Sequence, residues 1–479
     1  MLWLALHFPL LPLEIFARGV PAPGPLAVAS STGATAEIVA CNRKARDHGV
    51  RAGMPVAAAS ALAADLRFLT RAPAAEHAAL EHVAACALQF TSAVSIAPPA
   101  EVLLEIAGSV KLFGGLSRLW TRVERELDAQ GYTVCIACAP TPLGAQLFAR
   151  AGLPLRIQHR DALRAGLGEL PVAVLDLPTT SSALLHDIGI FTIGACLKLP
   201  RAGLARRLGG KLLDGLDRAL GHVPDPRPAY APPANFTAVL HLPVPVEQAG
   251  ALLFAARRLL AGMCGFLAAT GKGVQHLCFK LAHEARADTR FELNLATATR
   301  DPGHLATVLR ERLERVALPS PAVSIGLESR LLLPLAPRNL TLLPDAREQA
   351  ETTVKLMERL RARLGRDAVQ GFDTVADYRP EHAWRAVEPG TGTQGAWLPL
   401  ARPLWLLDTP RPLREIAAIP QHGGPLALLA GPERIESGWW DGNDVARDYF
   451  VARNPAQSLF WIYRERHENG GWYLHGFFA

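Results

Sequence analysis

The sequence predicts a multidomain α/β protein that ends in a β-rich module. Three observations predict it. Up to about residue 160, short apolar runs alternate with amphipathic stretches, as strands and helices do when they pack in layers. Pro224, Pro226, Pro228, Pro232 and Pro233 then mark a linker over 223–235. Beyond residue 390 the chain is rich in Gly, Pro and Trp, and its aromatic runs alternate like strands.

Each element has a local reason. Residues 2–8 are a continuous apolar run, the pattern of a fully buried strand. Prolines at 21, 23 and 25 break the chain before a second apolar run at 25–30 and a third at 36–41. The basic stretch Asn42-Arg43-Lys44-Ala45-Arg46 follows. Helical periodicity covers 74–90, and Val102–Ile106 reads as a strand. Ser117–Gln130 reads as an amphipathic helix with Arg and Glu on its wet face. Tyr132–Cys138 is another strand and Pro142–Ala151 another helix. Strand character fades over 165–222. There, glycines at 189 and 194 join two short helical patterns, and Arg201–Leu220 is basic and helical. Residues 236–335 show two strand-like pairs and helical stretches at 246–262 and 302–316. Thr270-Gly-Lys-Gly273 between apolar runs predicts a hairpin turn. Arg347–Leu364 is a charged helix, and no repeat of fixed period is present.

Composition narrows the class. Of the 479 residues, 49% are hydrophobic and 20% charged, which excludes general disorder. Lys and Arg exceed Asp and Glu by 50 to 44, compatible with a polyanionic partner. Seven cysteines, an odd number without regular spacing, argue against a disulfide framework. The apolar start lacks a basic flank, and Pro9, Pro12 and Glu14 interrupt it, so neither a signal peptide nor a membrane span is expected. The expectation is a cytoplasmic, nucleoid-associated protein.

Familiar motifs dissolve on inspection. Cys135 and Cys138 have CxxC spacing, but residues three apart on a strand face opposite ways, so both read as core cysteines. Gly271-Lys272-Gly273 lacks the spacing and hydroxyl of a phosphate loop. The junction at 184–194 has two readings. As a helix–hairpin–helix it offers backbone N–H groups around Gly189 and Gly194 to a DNA phosphate, with Arg201, Arg206, Arg207 and Lys211 adding contacts. Otherwise it is a helical hairpin with a solvated basic face. Asp441, Asp444 and Asp448 beside Arg434 and Arg447 read as a charged loop network.

Several runs together resemble the Y-family DNA polymerases. Pro25-Leu-Ala-Val-Ala, Cys41-Asn-Arg-Lys-Ala-Arg46 and Gly49-Val-Arg-Ala-Gly-Met-Pro55 are similar to that family's fingers segment. Ser95-Ile96 followed by Leu103–Ile106 resembles its second palm motif, and 139–151 its last palm helix. The resemblance implies a right hand. Its palm spans 1–15 and 70–160, fingers 16–69, thumb 161–222, linker 223–235 and little finger 236–345. A partner-interaction module at 346–479 follows.

Active members of that family hold two Mg²⁺ ions with clustered carboxylates. Here residues 1–13 hold no Asp or Glu, and His7 stands near the expected acid. Ala97-Pro98-Pro99-Ala100 occupies the place of the Asp-Glu pair. Glu101 and Glu105 share a strand face, but about 13 Å separates them at roughly 3.3 Å per residue, too far to share two ions. Glu14 is a lone acid beyond the strand, and histidine is a poor ligand for a hard cation. Leu10 replaces the bulky steric gate, and Arg43 the tyrosine before Lys44. Gly152-Leu-Pro154 replaces the lysine after the last palm helix. Arg46 stands where that family has a phosphate-binding arginine, so the resemblance implies that Arg43 and Arg46 are vestigial nucleotide-phosphate contacts.

This pattern resembles the ImuB branch, pseudo-polymerases of the bacterial mutasome. Asp377–Trp384, Gly431–Trp440, Asp444–Tyr449 and Trp472–Phe478 are similar to that branch's C-terminal module. The resemblance implies no catalysis and no cofactor, with Mg²⁺ required only if the chain is instead an active low-fidelity translesion polymerase with an altered metal site. It implies as partners primer-template DNA, the β sliding clamp, an ImuA-like RecA-related protein and a C-family error-prone polymerase. Asn339-Leu340-Thr341-Leu342-Leu343 has the shape of a clamp-binding peptide, with Asn for Gln and Leu for Phe; an apolar loop is the other reading. Most tail aromatics read as the core of a β domain, with Trp439, Trp440 and Trp472 as candidates for partner binding.

Overall fold

The computed structural model describes residues 1–19, 22–33, 35–284, 286–335, 346–391, 402–467 and 470–478, with 346–352 by backbone alone. The clamp-peptide candidate at 339–343 lies outside them. The chain divides into two compact units, Met1–Arg363 and Leu364–Ala479.

The first unit begins with β1 (Trp3–His7) and α1 (Leu11–Ala17). Next come β2 (Leu26–Ala29), β3 (Ile38–Cys41), α2 (Arg43–Asp47), α3 (Val56–Leu62) and β4 (Arg67–Thr70). The chain then forms α4 (Pro73–Ala87), β5 (Val94–Ala97), β6 (Glu101–Glu105), α5 (Leu116–Ala129), β7 (Cys135–Ala139) and α6 (Pro142–Arg150). Strands β2, β3 and β4 make a small sheet, ordered β3-β2-β4. The central sheet is ordered β5-β6-β1-β7, so the first strand sits inside it, antiparallel to β6 and β7. Alternation along β1 sorts the two faces. Leu4 and Leu6 point into a core shared with α4 and α5, through Leu80, Val83, Leu119 and Val123. Ala5 points the other way, into a core with Leu147 and Phe148 of α6.

Five helices follow: α7 (Arg160–Gly168), α8 (Thr179–Asp187), α9 (Ile193–Leu197), α10 (Arg201–Leu208) and α11 (Gly210–Leu220). No strand lies between residues 160 and 222. The proline linker forms neither helix nor strand over 224–233, and the Tyr230 N–H donates to the Val94 carbonyl at 2.8 Å, tying it to the central sheet.

Beyond the linker lie β8 (Thr237–Val246), α12 (Leu253–Thr270), β9 (Lys272–His283), β10 (Thr289–Thr299), α13 (Pro302–Leu313), β11 (Ala322–Pro334) and α14 (Ala346–Leu364). The four strands form a sheet ordered β10-β9-β11-β8 over α12 and α13. Among the described residues, Ala249–Thr270 is long and apolar enough to cross a membrane, but Leu259, Met263, Phe266 and Leu267 bury it in this core.

Three expectations change here. The predicted hairpin at 270–273 is a helix end: α12 runs to Thr270, Gly271 caps it at φ +66°, and β9 starts at Lys272. The helix expected over 246–262 runs over 253–270, after a short 3-10 turn at 249–252. The C-terminal compact unit starts at Leu364, not 346. Glu358 of α14 accepts from the Ala296 N–H at 2.6 Å and contacts His304, so the charged helix belongs to the β9–β10 domain.

The second unit contains a hairpin of β12 (Gly371–Thr374) and β13 (Trp384–Val387). Its main strands are β14 (Trp405–Ile416), β15 (Ile419–Gln421), β16 (Ala427–Ser437), β17 (Val445–Arg453), β18 (Leu459–Glu465) and β19 (Trp472–Phe477). These six form one sheet, ordered β15-β14-β19-β18-β17-β16. Ala452, Phe460, Ile462, Trp472 and Leu474 pack one core, and Ile435, Tyr449, Trp461 and Tyr463 another.

Candidate functional site

The place where a polymerase's acids would cluster is the end of β1. Pairing puts His7 opposite Glu101 of β6, just after the exposed Pro98-Pro99 turn. Glu101 is 1% exposed. A buried carboxylate is stable only if partners replace water, and the chain supplies three. Arg150 donates from Nε to Oε1 at 2.6 Å and from Nη2 to Oε2 at 2.8 Å. Gln146 Nε2 donates to Oε2 at 2.7 Å. His7 Nδ1 stands 3.5 Å from Oε1. Burial alone would raise the Glu101 carboxyl; these bonds and the Arg150 charge outweigh it and hold it at about 2.

Helix α6 makes this possible. Thr141 caps its start by accepting from the Gly144 N–H at 3.2 Å, and Pro142 fits the first turn. Gln146 and Arg150, four apart, fall on one face one turn apart. Sequence reasoning missed both. The trace they leave is two long polar side chains on an otherwise apolar helix.

The other acids are elsewhere. Glu105, opposite Trp3, accepts from the Leu2 N–H at 2.9 Å. Glu14 is buried in α1 and accepts from the Thr133 N–H at 2.9 Å; burial raises its carboxyl. Among the described residues no three His, Cys, Asp or Glu side chains are grouped to hold a metal ion. Two hard cations need several shared carboxylate oxygens. The residues present do not fit a two-Mg²⁺ site, because the one buried carboxylate at the strand end already neutralises a guanidinium.

Arg43 and Arg46 lie exposed on α2. Their mounting is Asn42, whose Oδ1 accepts from the Ala45 N–H at 2.9 Å and the Leu26 N–H at 3.1 Å, while Nδ2 donates to the Gly24 carbonyl at 2.9 Å. Leu10 is half-buried ahead of α1.

In the 184–194 junction the two glycines do different work. Gly189 ends the α8 turn at φ +73°, where other residues are strained. Gly194 is needed for close packing: a Cβ there would stand 2.8 Å from the Gly168 carbonyl oxygen of α7. Arg206, Arg207 and Lys211 are exposed, whereas Arg201 pairs with Asp217 at 2.5 Å.

In the second unit Trp439 and Trp440 are 80% and 58% exposed, with rings 5.5 Å apart and edge-on. Trp472 is 6% exposed and packs on Phe450, so it belongs to the core and presents no docking face. The charged loop expected here is only partly a loop: Asp441, in the turn after β16, is held by Arg379 at 2.7 Å, but Asp448 lies on β17 opposite Arg434 of β16, which it pairs with at 2.9 Å, and Arg447, also on β17, pairs with Glu381 at 2.8 Å.

Residues 22–150 match the family model described as impB/mucB/samB. Protein ImuB of Caulobacter vibrioides is 30% identical over 460 residues, covering 90% of this chain and 100% of that protein. The chain belongs to the ImuB family. A DNA polymerase IV of Pseudomonas entomophila is 27% identical over 202 residues, 41% of this chain and 57% of that polymerase. Solved structures similar to it include DinB from Sulfolobus solfataricus and an insertion ternary complex of Dbh DNA polymerase. Each is 18% identical, has a TM-score of 0.41, and covers 69% of this chain and 98% of its own. The first unit of this ImuB-family chain has a mixed α/β, Y-family polymerase-like fold, and a strand-rich region follows. ImuB homology supports a role in DNA damage tolerance.

Proposed function

We propose that this chain is a non-catalytic polymerase-like adaptor in translesion synthesis and induced mutagenesis. The observation that carries the reading is Glu101, whose oxygens are occupied by Arg150 and Gln146 at the strand end where a polymerase would grip metal. In this reading 1–15 and 70–160 serve as palm, 16–69 as fingers, 161–222 as thumb, 236–363 as little finger with α14, and 364–479 as partner-interaction module. Cytoplasmic, nucleoid-associated placement follows from DNA as the partner.

The thumb would hold primer-template DNA through the exposed Arg206, Arg207 and Lys211. Residues 339–343 would tie the chain to the sliding clamp. The tail, through Trp439 and Trp440, would engage an ImuA-like RecA-related protein or a C-family error-prone polymerase, which would perform the synthesis. No cofactor is required.

Primer extension with Mg²⁺ or Mn²⁺, alongside binding to the same primer-template, tests the reading. Binding without incorporation is expected. Incorporation that survives purification and vanishes in Glu101→Gln would establish an active polymerase with an altered metal site instead. Replacing Leu340 and Leu342 with Ala should abolish clamp pulldown; persistence would refute the clamp assignment.

A further inference from the structure

A second cationic surface lies on the opposite side of the central sheet from Glu101. The residues of α5 that pack inward, Leu119, Trp120, Val123 and Leu127, join the core of Leu4 and Leu6, not that of Ala5 and α6. The outward face of α5 and the preceding loop form a groove of about 590 Å³. Lys111, Arg118, Arg122 and Arg125 line it, and no lining residue is acidic. All four cations are exposed. Arg118, Arg122 and Arg125 recur at helical spacing, so their stems project along one face about 6 and 4.5 Å apart in rise. Arg122 lies over the half-buried Phe113 ring at 5.5 Å, which fixes one wall. Arg156 donates to Ser117 Oγ at 3.0 Å and adds a fifth positive charge at the groove edge.

We propose that this groove is a second nucleic-acid site, contacting the sugar-phosphate backbone of a strand other than the one held at the thumb. The chemistry favours phosphate over an acidic protein. The lining is a row of side-chain donors with one strongly exposed apolar residue, Leu112, too little for a protein anchor. The site cannot read sequence, because guanidinium and ammonium groups on phosphates carry no base information. The inference rests on the DNA-binding adaptor reading and adds a second strand to it.

The test uses the full chain with Lys111→Ala, Arg118→Ala and Arg125→Ala combined; Arg122 stays because it supports Phe113. Fluorescence anisotropy measures binding of a labelled oligothymidylate and of a duplex across a salt series. Three lost contacts should lower the salt slope by roughly 2 on single-stranded DNA and weaken binding by about tenfold at low salt. A larger loss on the oligothymidylate assigns the groove to single strands; an equal loss assigns it to backbone of either form. Arg206→Ala with Arg207→Ala is the comparison. If that variant weakens and the α5 variant binds as wild type does, the groove is refuted and the adaptor reading stands. If the wild-type chain binds no DNA, both fall. Loss of heparin retention with DNA binding intact would overturn the nucleic-acid assignment.

Discussion

Arg150 meets Glu101 through two hydrogen bonds, one to each carboxylate oxygen, of 2.6 and 2.8 Å, with the carboxylate almost fully buried and the arginine side chain 23% exposed. In the adaptor reading proposed above, the pair places a protein cation where a polymerase would hold a metal. A covalently tethered charge cannot be exchanged with solvent. With Gln146 it also engages both carboxylate oxygens, so a cation would have to compete with a guanidinium for them.

Removing one partner should therefore be costly. Arg150→Ala strands a buried carboxylate, and chemical denaturation should show a loss of about 3 kcal/mol. Replacing both together, Arg150→Met with Glu101→Gln, should recover most of it. If Arg150→Ala is neutral, the pair does not hold this part of the fold.

The same pair sets a pH dependence. Glu101 is held at about 2 in the folded chain against an ordinary 4.5. A depressed carboxyl stabilises the fold fully above its unfolded value and loses that contribution as pH falls toward the folded one. Denaturation between pH 5 and pH 2 should show the wild-type chain losing roughly 3 kcal/mol more than the Arg150→Met, Glu101→Gln double variant. Parallel curves would contradict the assignment.

Gly194→Ala separates packing from phosphate contact. The added methyl would meet the Gly168 carbonyl at 2.8 Å. Thermal unfolding should show destabilisation of about 1–3 kcal/mol, whereas Gly189→Ala should act through backbone strain at φ +73°. An unchanged midpoint for Gly194→Ala would show that the helices give way.

The two kinds of tail tryptophan should behave oppositely. Trp472→Ala empties a core site and should cost about 3–5 kcal/mol. Trp439→Ala should stay within about 0.5 kcal/mol, because the side chain is mostly in water. Equal effects in urea denaturation would contradict the burial difference.

How much of this was legible in the sequence depends on range. The missing acids at 1–13 and 97–100 are a local fact, and so is the alternation of strands and helices. Arg150 is 49 residues from Glu101, and no periodicity links them; only folding puts α6 beside β6. Gly194 reads as a turn glycine until the approach of Gly168 is seen. The misread turn at 270–273 has a simple cause. A glycine in the left-handed region ends a helix as readily as it starts a hairpin, and the apolar run before it is compatible with either. Trp472 looked equivalent to Trp439 because composition carries no inside or outside; the pairing of β19 with β14 and β18 decides it.

The central claim is that the central sheet cannot grip divalent cations. Electron paramagnetic resonance of free Mn²⁺, titrated into the chain with primer-template and nucleotide, tests it most directly. The account predicts no protein-dependent Mn²⁺ uptake at the central sheet, and identical titrations for wild type and Glu101→Gln. Uptake of two ions per chain that disappears in Glu101→Gln would contradict it.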